Sequence, residues 1–228
     1  MPKIEKINQN EIDKFKEFID QAESIAISAH INPDGDALGS SLSLRKSLEL
    51  YGKKAEVIKI SEVDDYLSFL PQLENYKDPS QEEYDLFIIV DCSEFDRIDK
   101  AIDICRNSKK VLVIDHHKGG SIKTDLNIIH SDSPASCELV YEIIDRLNLP
   151  IDEEIATLLY VGLVTDTGRF LYSNISELTF YTAADLYKKG ANFEMIYKNL
   201  YQNKEISKLQ FENYILNKVE FNKPYALV

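Results

Sequence analysis

The chain has 228 residues, 39 acidic against 26 basic, and a formal net charge of −13. That length suits one large α/β domain or two small ones around a buried core, and the acidic balance excludes unaided binding to long duplex nucleic acid, whose phosphates it repels. Three cysteines, Cys92, Cys105 and Cys137, form no disulfide framework; no apolar run approaches the roughly 18 residues of a membrane span; and the charged start "MPKIEKINQNEIDKFKEF" is no secretion signal. A cytoplasmic location without membrane contact is expected.

Residues 10–22 place Ile12, Phe15, Phe18 and Ile19 on one helical face. "SIAISA" (24–29) reads as the first buried strand, followed by the turn "HINPDGDALGS" and a helix over 37–51. That helix carries Leu38, Leu42, Leu44 and Leu48, with Gly52 as its stop. "AEVIKI" (55–60), "DLFIIV" (85–90) and "KVLVI" (110–114) are further Ile- and Val-rich runs that do not alternate with polar residues. Such runs form a parallel sheet covered on both faces. "LNII" (126–129) is a weaker fifth strand, and helical periodicity fills 134–147, 152–164, 176–189 and 203–217. The expected fold is α/β: a doubly wound, mainly parallel five-stranded sheet with flanking helices and a helical C-terminal part. Residues 1–217 would form one domain, and 218–228 would begin a linker toward a further domain that this sequence lacks.

Charged residues fall where these elements end. The first strand runs into His30, Asp34 and Asp36, the third into Asp91, and the fourth into Asp115, His116 and His117, while "EEIATLLYVGLVTDTGRF" carries Asp166 at its helical end. In an open parallel sheet the carboxyl ends of the strands share one edge, where ligands bind. A single Asp after a strand is ordinarily a turn former or helix cap, and a His pair is often a solvated loop. Together, though, they bring at least four carboxylates to one place with no positive side chain from the same motifs. Charges ~4 Å apart repel by several kcal/mol per pair at an effective dielectric of about 20. Divalent cations remove that cost. Oxygen ligands with imidazole favour Mn²⁺ or Mg²⁺ over structural Zn²⁺, and the imidazoles tip the choice toward Mn²⁺. Cys92, beside Asp91, alternates to the other side of the strand and reads as a buried structural thiol. In the opening turn, Asn32 and Pro33 would set the bend and Gly35 would let the backbone pass between two ligating aspartates.

"HINPDGDALGS", "VDCSEFDRI", "VIDHH" and "GLVTDTGRF" resemble, in order and approximate spacing, the four motifs of the DHH phosphoesterases over residues 24 to about 175. The likeness is greatest to the bacterial oligoribonuclease and 3′-phosphoadenosine 5′-phosphate (pAp) phosphatase members, whose helix after the fifth strand "SDSPASCELVYEII" (131–144) also resembles. The resemblance implies two Mn²⁺ sites: His30, Asp34 and Asp91 for one ion, and Asp36, Asp91, His116 and Asp166 for the other, bridged by Asp91. It further implies that Asp115 orients His116, that His117 contacts the phosphoryl group and assists proton transfer, and that a water activated between two metals attacks phosphorus in line. Arg169 and Lys118 are candidates to hold a phosphate. Ser133 and Ser136 are expected to cap the 134–147 helix, and Ser136 and that helix's first amides are candidates to receive a phosphate. The implied partner is a short oligoribonucleotide or nucleotide bisphosphate, and a homodimer is compatible with it.

Two departures stand out. Family members usually carry a C-terminal domain with a Gly-rich, His-containing substrate motif, and none is found here; Gly119 and Gly120 merely follow the DHH motif. The "H-x-N-P-D-x-D" pattern is also shared with manganese inorganic pyrophosphatases and exopolyphosphatases, which keeps that alternative open. A non-catalytic nucleotide-binding domain is a third reading, and the intact ligand residues at all four motifs speak against it.

Overall fold

The computed structural model describes residues 5–120, 122, 124–203 and 206–218. Six strands form one all-parallel sheet: β1 Ser24–Ser28, β2 Lys54–Ile58, β3 Tyr76–Lys77, β4 Leu86–Val90, β5 Lys110–Asp115 and β6 Leu126–Ile129, in the order β3-β2-β1-β4-β5-β6. The expected α/β architecture is present, with one strand more than the sequence pattern provides. β3 is a two-residue edge piece, too short to make a periodic signal. The expected linker at residues 218–228 lies outside the described residues except for its first residue.

Alternate residues of the central strands serve two cores. Ile25, Ile27, Leu86, Ile88, Val90, Leu112 and Ile114 pack on one face, and Ala26, Phe87, Ile89 and Val113 on the other. Both faces are apolar, which is why these runs read as continuously hydrophobic. The larger core is closed by α1 Gln9–Gln21, α2 Gly35–Leu50, α4 Ser136–Arg146 and α5 Glu153–Asp166. The smaller is closed by α3 Ile102–Asn107 and the 3₁₀ turns before it, with Cys92 and Cys105 buried within it. α6 Glu177–Lys188, α7 Phe193–Tyr197, a π turn over Lys198–Gln202 and α8 Ile206–Leu216 follow, and α8 buries none of its residues. α3, α7 and the π turn have no counterpart in the sequence reading, being too short to show a period.

α2 is buried on almost every side although it contains four serines. Ser40 and Ser41 donate back to the carbonyls of Asp36 and Ala37 at 2.6 and 2.7 Å, and Ser47 donates to the Pro150 carbonyl, so no hydroxyl competes with the core. α2 crosses α5 backbone to backbone. A β-carbon on Gly39 would stand 2.5 Å from the Leu158 carbonyl oxygen, and one on Gly162 would stand 2.5 Å from Asp36 Oδ1. Only glycine permits this approach, and it sets Asp36 beside the helix that carries Asp166. Gly35 is the first residue of α2 rather than part of the preceding turn, because Asp34 caps the helix two residues earlier than the apolar period indicates. Among the described residues no helix is long and apolar enough to cross a membrane.

Candidate metal centre at the carboxyl edge of the sheet

β1 and β4 are neighbours, yet the chain continues from β1 to β2 and β3 on one side and from β4 to β5 and β6 on the other. Such a reversal opens a crevice outside the carboxyl ends of the strands. His30 follows β1, Asp91 follows β4, Asp115 to His117 close β5, Asp34 and Asp36 begin α2, and Asp166 ends α5. All eight side chains come together around that crevice.

Asp91 sits in its middle, 1% exposed. Its φ of +55° is a left-handed conformation that Asp adopts more readily than most residues, and its N–H donates to the Ile114 carbonyl at 2.9 Å. Each carboxylate oxygen faces an imidazole: Oδ2 lies 3.4 Å from His30 Nε2 and Oδ1 lies 3.4 Å from His116 Nε2. Ser136 Oγ also donates to Oδ1, at 3.0 Å.

The two histidines are oriented from behind. His30 Nδ1 donates to the Ile31 carbonyl at 2.8 Å, leaving Nε2 toward Asp91 and, at 4.0 Å, Asp34 Oδ2. His116 Nδ1 donates to the Ser133 carbonyl at 3.3 Å. Ser133 is itself anchored: its hydroxyl donates to Glu138 Oε1 at 2.9 Å, and Glu138 pairs with Lys6 Nζ at 2.9 Å. Lys6 Nζ also donates to the Asp132 carbonyl at 2.7 Å. Sequence reasoning missed this support because Lys6 and Glu138 are 132 positions apart and carry no shared motif.

Three expectations need correction. Ser133 and Ser136 do not cap α4; Ala135 occupies the cap position without a side-chain bond, Ser133 turns to Glu138 and Ser136 to Asp91. The first amides of α4 are taken as well. Ser136 N–H and Cys137 N–H donate to the two oxygens of Asp36 at 2.6 and 2.9 Å, so a protein carboxylate occupies the place expected for a phosphate. Asp115 orients His117 rather than His116, accepting from its Nδ1 at 2.8 Å and from its backbone N–H at 3.1 Å. The reason is the strand's period: residues two apart share a side, so His117 folds back onto Asp115 while His116 points away. His117 is half-exposed, and Lys118 and Arg169 are exposed. Arg169 lies over the Tyr201 ring, 5.0 Å from its centroid.

Electrostatics follow from the packing. Burial raises the Asp36 carboxyl well above its ordinary range, and Asp91 and Asp166 add to this. Asp166 is raised for the same reason, burial first, with His116 pulling the other way. Burial also works against Asp91, but His116 and His30 outweigh it and hold that carboxyl below the usual range. Burial disfavours charge on His116, yet Asp166 and Asp91, with Asp36 behind, push it up to about 11.

These residues fit a divalent cation. His116 Nδ1–H is committed to a carbonyl, so the neutral ring aims the Nε2 lone pair at Asp166, Asp91 and Asp36 oxygens 3.3, 3.4 and 3.8 Å away. Nε2 is buried and has no hydrogen-bond partner. A lone pair facing three carboxylates is tolerable only with a positive charge between them, either an extra proton or a metal. Three groups have ligand atoms all within 4.8 Å of one another: His30, Asp34 and Asp91; Asp36, His116 and Asp166; and Asp91, His116 and His117.

An open parallel sheet with a carboxylate–imidazole centre at its switch point defines a class of α/β proteins built for hard divalent cations. Comparison gives the family: the chain belongs to the DHH family, the N-terminal domain of which matches residues 24–163. It is 34% identical over 202 residues to the bifunctional oligoribonuclease and PAP phosphatase NrnA of Mycoplasma genitalium, covering 87% of this chain and 63% of that protein. It is 32% identical over 168 residues to the protein of the same name from Thermus thermophilus, covering 73% of this chain and 50% of the relative. The chain therefore spans between half and two thirds of these relatives. The crystal structure of an exopolyphosphatase-related protein from Bacteroides fragilis superimposes with a TM-score of 0.91 at 28% identity, covering 97% of this chain and 68% of that one.

Proposed function

We propose that this chain is the catalytic part of a cytoplasmic, manganese-dependent phosphoesterase that hydrolyses short oligoribonucleotides and pAp. The observation that carries the reading is Asp91, buried with one imidazole at each carboxylate oxygen: Oδ2 faces His30 of the His30–Asp34–Asp91 group and Oδ1 faces His116 of the Asp36–His116–Asp166 group. His30, Asp34 and Asp91 would hold one ion, and Asp36, Asp91, His116 and Asp166 the second; Mg²⁺ is the alternative metal. Two such ions supply Lewis-acid polarisation of a phosphoryl oxygen and lower the pKa of water toward neutrality.

The chain's own groups do the rest. His117 directs Nδ1–H at Asp115 and leaves Nε2 toward solvent, where it can pass a proton to the leaving oxygen of the ester. Asp115, fully buried, fixes the tautomer and stabilises the ring when it is charged; His117 is raised first by that bond, with burial opposing. Lys118 and Arg169, both exposed at the rim, are suited to hold non-reacting phosphates. Substrate class rests on the names of the NrnA relatives. The fold shared with an exopolyphosphatase-related protein supports a second reading, hydrolysis of pyrophosphate or polyphosphate. Assaying the chain with Mn²⁺ on pAp, diadenylate, pyrophosphate and polyphosphate separates them. Turnover of the first two supports the proposal; turnover confined to the last two replaces it with the second.

A further inference from the structure

Beside the centre lies a group of aromatic side chains that none of the chemistry above employs. After Asp166 the chain turns sharply: Gly168, Arg169 and Phe170 all have positive φ, at +55°, +65° and +64°. Two consecutive non-glycine residues in that region are strained, and such strain persists where the surroundings over-determine it, often at ligand clamps. The turn places exposed Arg169 over Tyr201, with the guanidinium 5.0 Å from the ring centroid. Tyr201 belongs to the π turn Lys198–Gln202, an irregularity frequent at functional sites. The 3₁₀ turn Asp65–Leu67 packs against that π turn and carries Tyr66, 49% exposed. Arg169 follows closely on Asp166, so the Arg169–Tyr201 pair and the Asp65–Leu67 turn packed beside it stand on the Asp166 side of the crevice.

We infer that Tyr66, Tyr201 and Arg169 form a stacking wall for the base of a nucleotide whose phosphate reaches the metal centre. This deepens the phosphoesterase reading and rests on it. Tyr201 is partly buried against the core and presents its ring beneath the exposed Arg169 guanidinium, while Tyr66 is the more exposed ring; aromatic rings and guanidinium planes are the surfaces on which any base stacks irrespective of sequence. A phosphate can still use the guanidinium, but neither pyrophosphate nor polyphosphate has a flat group that would stack on the two rings. Stacking needs no hydrogen-bond code, which suits an enzyme acting on both oligoribonucleotide ends and pAp.

The test compares pAp with ribose 3′,5′-bisphosphate, the same diester-free phosphates without the base, on the 228-residue chain with Mn²⁺. The wild type should prefer pAp through KM. Tyr66→Ala and Tyr201→Ala should each reduce that preference by on the order of 10-fold, within the range of base–aromatic stacking, while kcat on pAp changes little. Tyr201→Phe should retain the preference, because the ring and not the hydroxyl is used. Should an alanine variant fail to fold, photolabelling of the wild type with 8-azido-pAp supplies the second readout, with label expected on Tyr66 or within Lys198–Gln202. A wild-type preference near one, or label confined to other segments, overturns the wall while leaving the phosphoesterase reading intact. Hydrolysis of pyrophosphate with none of either ribose ester overturns both.

Discussion

At the amino edge of the sheet, Asp85 accepts from the backbone N–H groups of Glu23 and Ser24 at 3.0 and 3.2 Å and from Lys109 Nζ at 2.6 Å. Asp125, at the same edge, accepts from Val111 N–H at 3.0 Å and pairs with Lys110 at 2.7 Å. Both carboxyls are lowered: Asp85 foremost by Lys109, and Asp125 because Lys110 and Val111 overcome burial. At the carboxyl edge, among the described residues, none of Asp34, Asp36, Asp91, Asp115 and Asp166 pairs with a lysine or arginine, and Asp36 and Asp166 are raised instead. One fold therefore satisfies its aspartates on one edge and leaves them wanting positive charge on the other. A deficit so localised marks a binding centre better than any count of acidic residues.

The sharpest way to break this contrast is Asp91→Ala. Removing the carboxylate proposed to bridge the two ions should abolish Mn²⁺-dependent hydrolysis, a loss beyond the roughly 10²–10³-fold that removal of one preorganised donor costs. Isothermal titration should show Mn²⁺ binding lost with it. An Asp91→Ala variant that kept near-wild-type affinity would place the metal elsewhere.

Next in size is the effect of the cation on stability. Mn²⁺ at a hundredfold excess over its dissociation constant should stabilise the chain by about 2.7 kcal/mol relative to EDTA, read as a rise in Tm. The pH dependence should differ between the two conditions. His116, raised from 6.5 to about 11, and Asp36, raised from 3.8, hold protons more tightly folded than unfolded. Each contributes stability below its unfolded value that is lost as pH rises toward its folded one. Asp91 acts in the opposite sense, but its contribution is lost only as pH falls below about 3.8. In EDTA the Tm should thus fall between about pH 6 and pH 8.5, whereas the increment gained with Mn²⁺ should grow over that interval, because metal replaces those protons. An increment that shrinks with pH would refute the ligand set.

A smaller effect is expected at Glu138→Gln. It loosens Ser133 and hence His116 Nδ1, so Mn²⁺ affinity should drop by about 10-fold, the low end for groups that support a metal ligand. An altered ¹⁵N shift at His116 Nδ1 should accompany it; unchanged affinity and shift would reduce the Lys6–Glu138 pair to a structural tie. Least affected should be Asp85→Asn at the amino edge, costing about 1 kcal/mol of stability in chemical denaturation and nothing in Mn²⁺ affinity. Its wild-type contribution is present above about pH 3.8 and lost as pH falls through the lowered folded value.

The edge that carries the carboxylate–imidazole cluster was readable in the sequence and its wiring was not. Ile- and Val-rich runs with an Asp or His directly after them announce strand ends, and three such signals, with Asp166 at a helix end, located the crevice. β3 stayed hidden because two residues have no period. Ser136 read as a cap because a serine at a helix start is commonly one; its bond to Asp91, 45 positions away, exists only once α4 docks. The resemblance implies that Asp115 serves His116, whereas strand alternation gives it His117. Tyr66 and Tyr201 lie outside every motif and on irregular turns, and Tyr201 meets Arg169 only through the way those turns pack.

The glycine contact between α2 and α5 bears on assembly order. Asp36 rides on one helix and Asp166 on the other, and their carboxylates converge on His116 only when Gly39 and Gly162 are seated backbone to backbone. A newly made chain with the helices paired out of register, or held apart by a trapped side chain, presents the two aspartates too far apart to share an ion. Closure of the α2–α5 contact is then the step that completes the carboxylate cluster, so the cluster exists only in the fully packed fold.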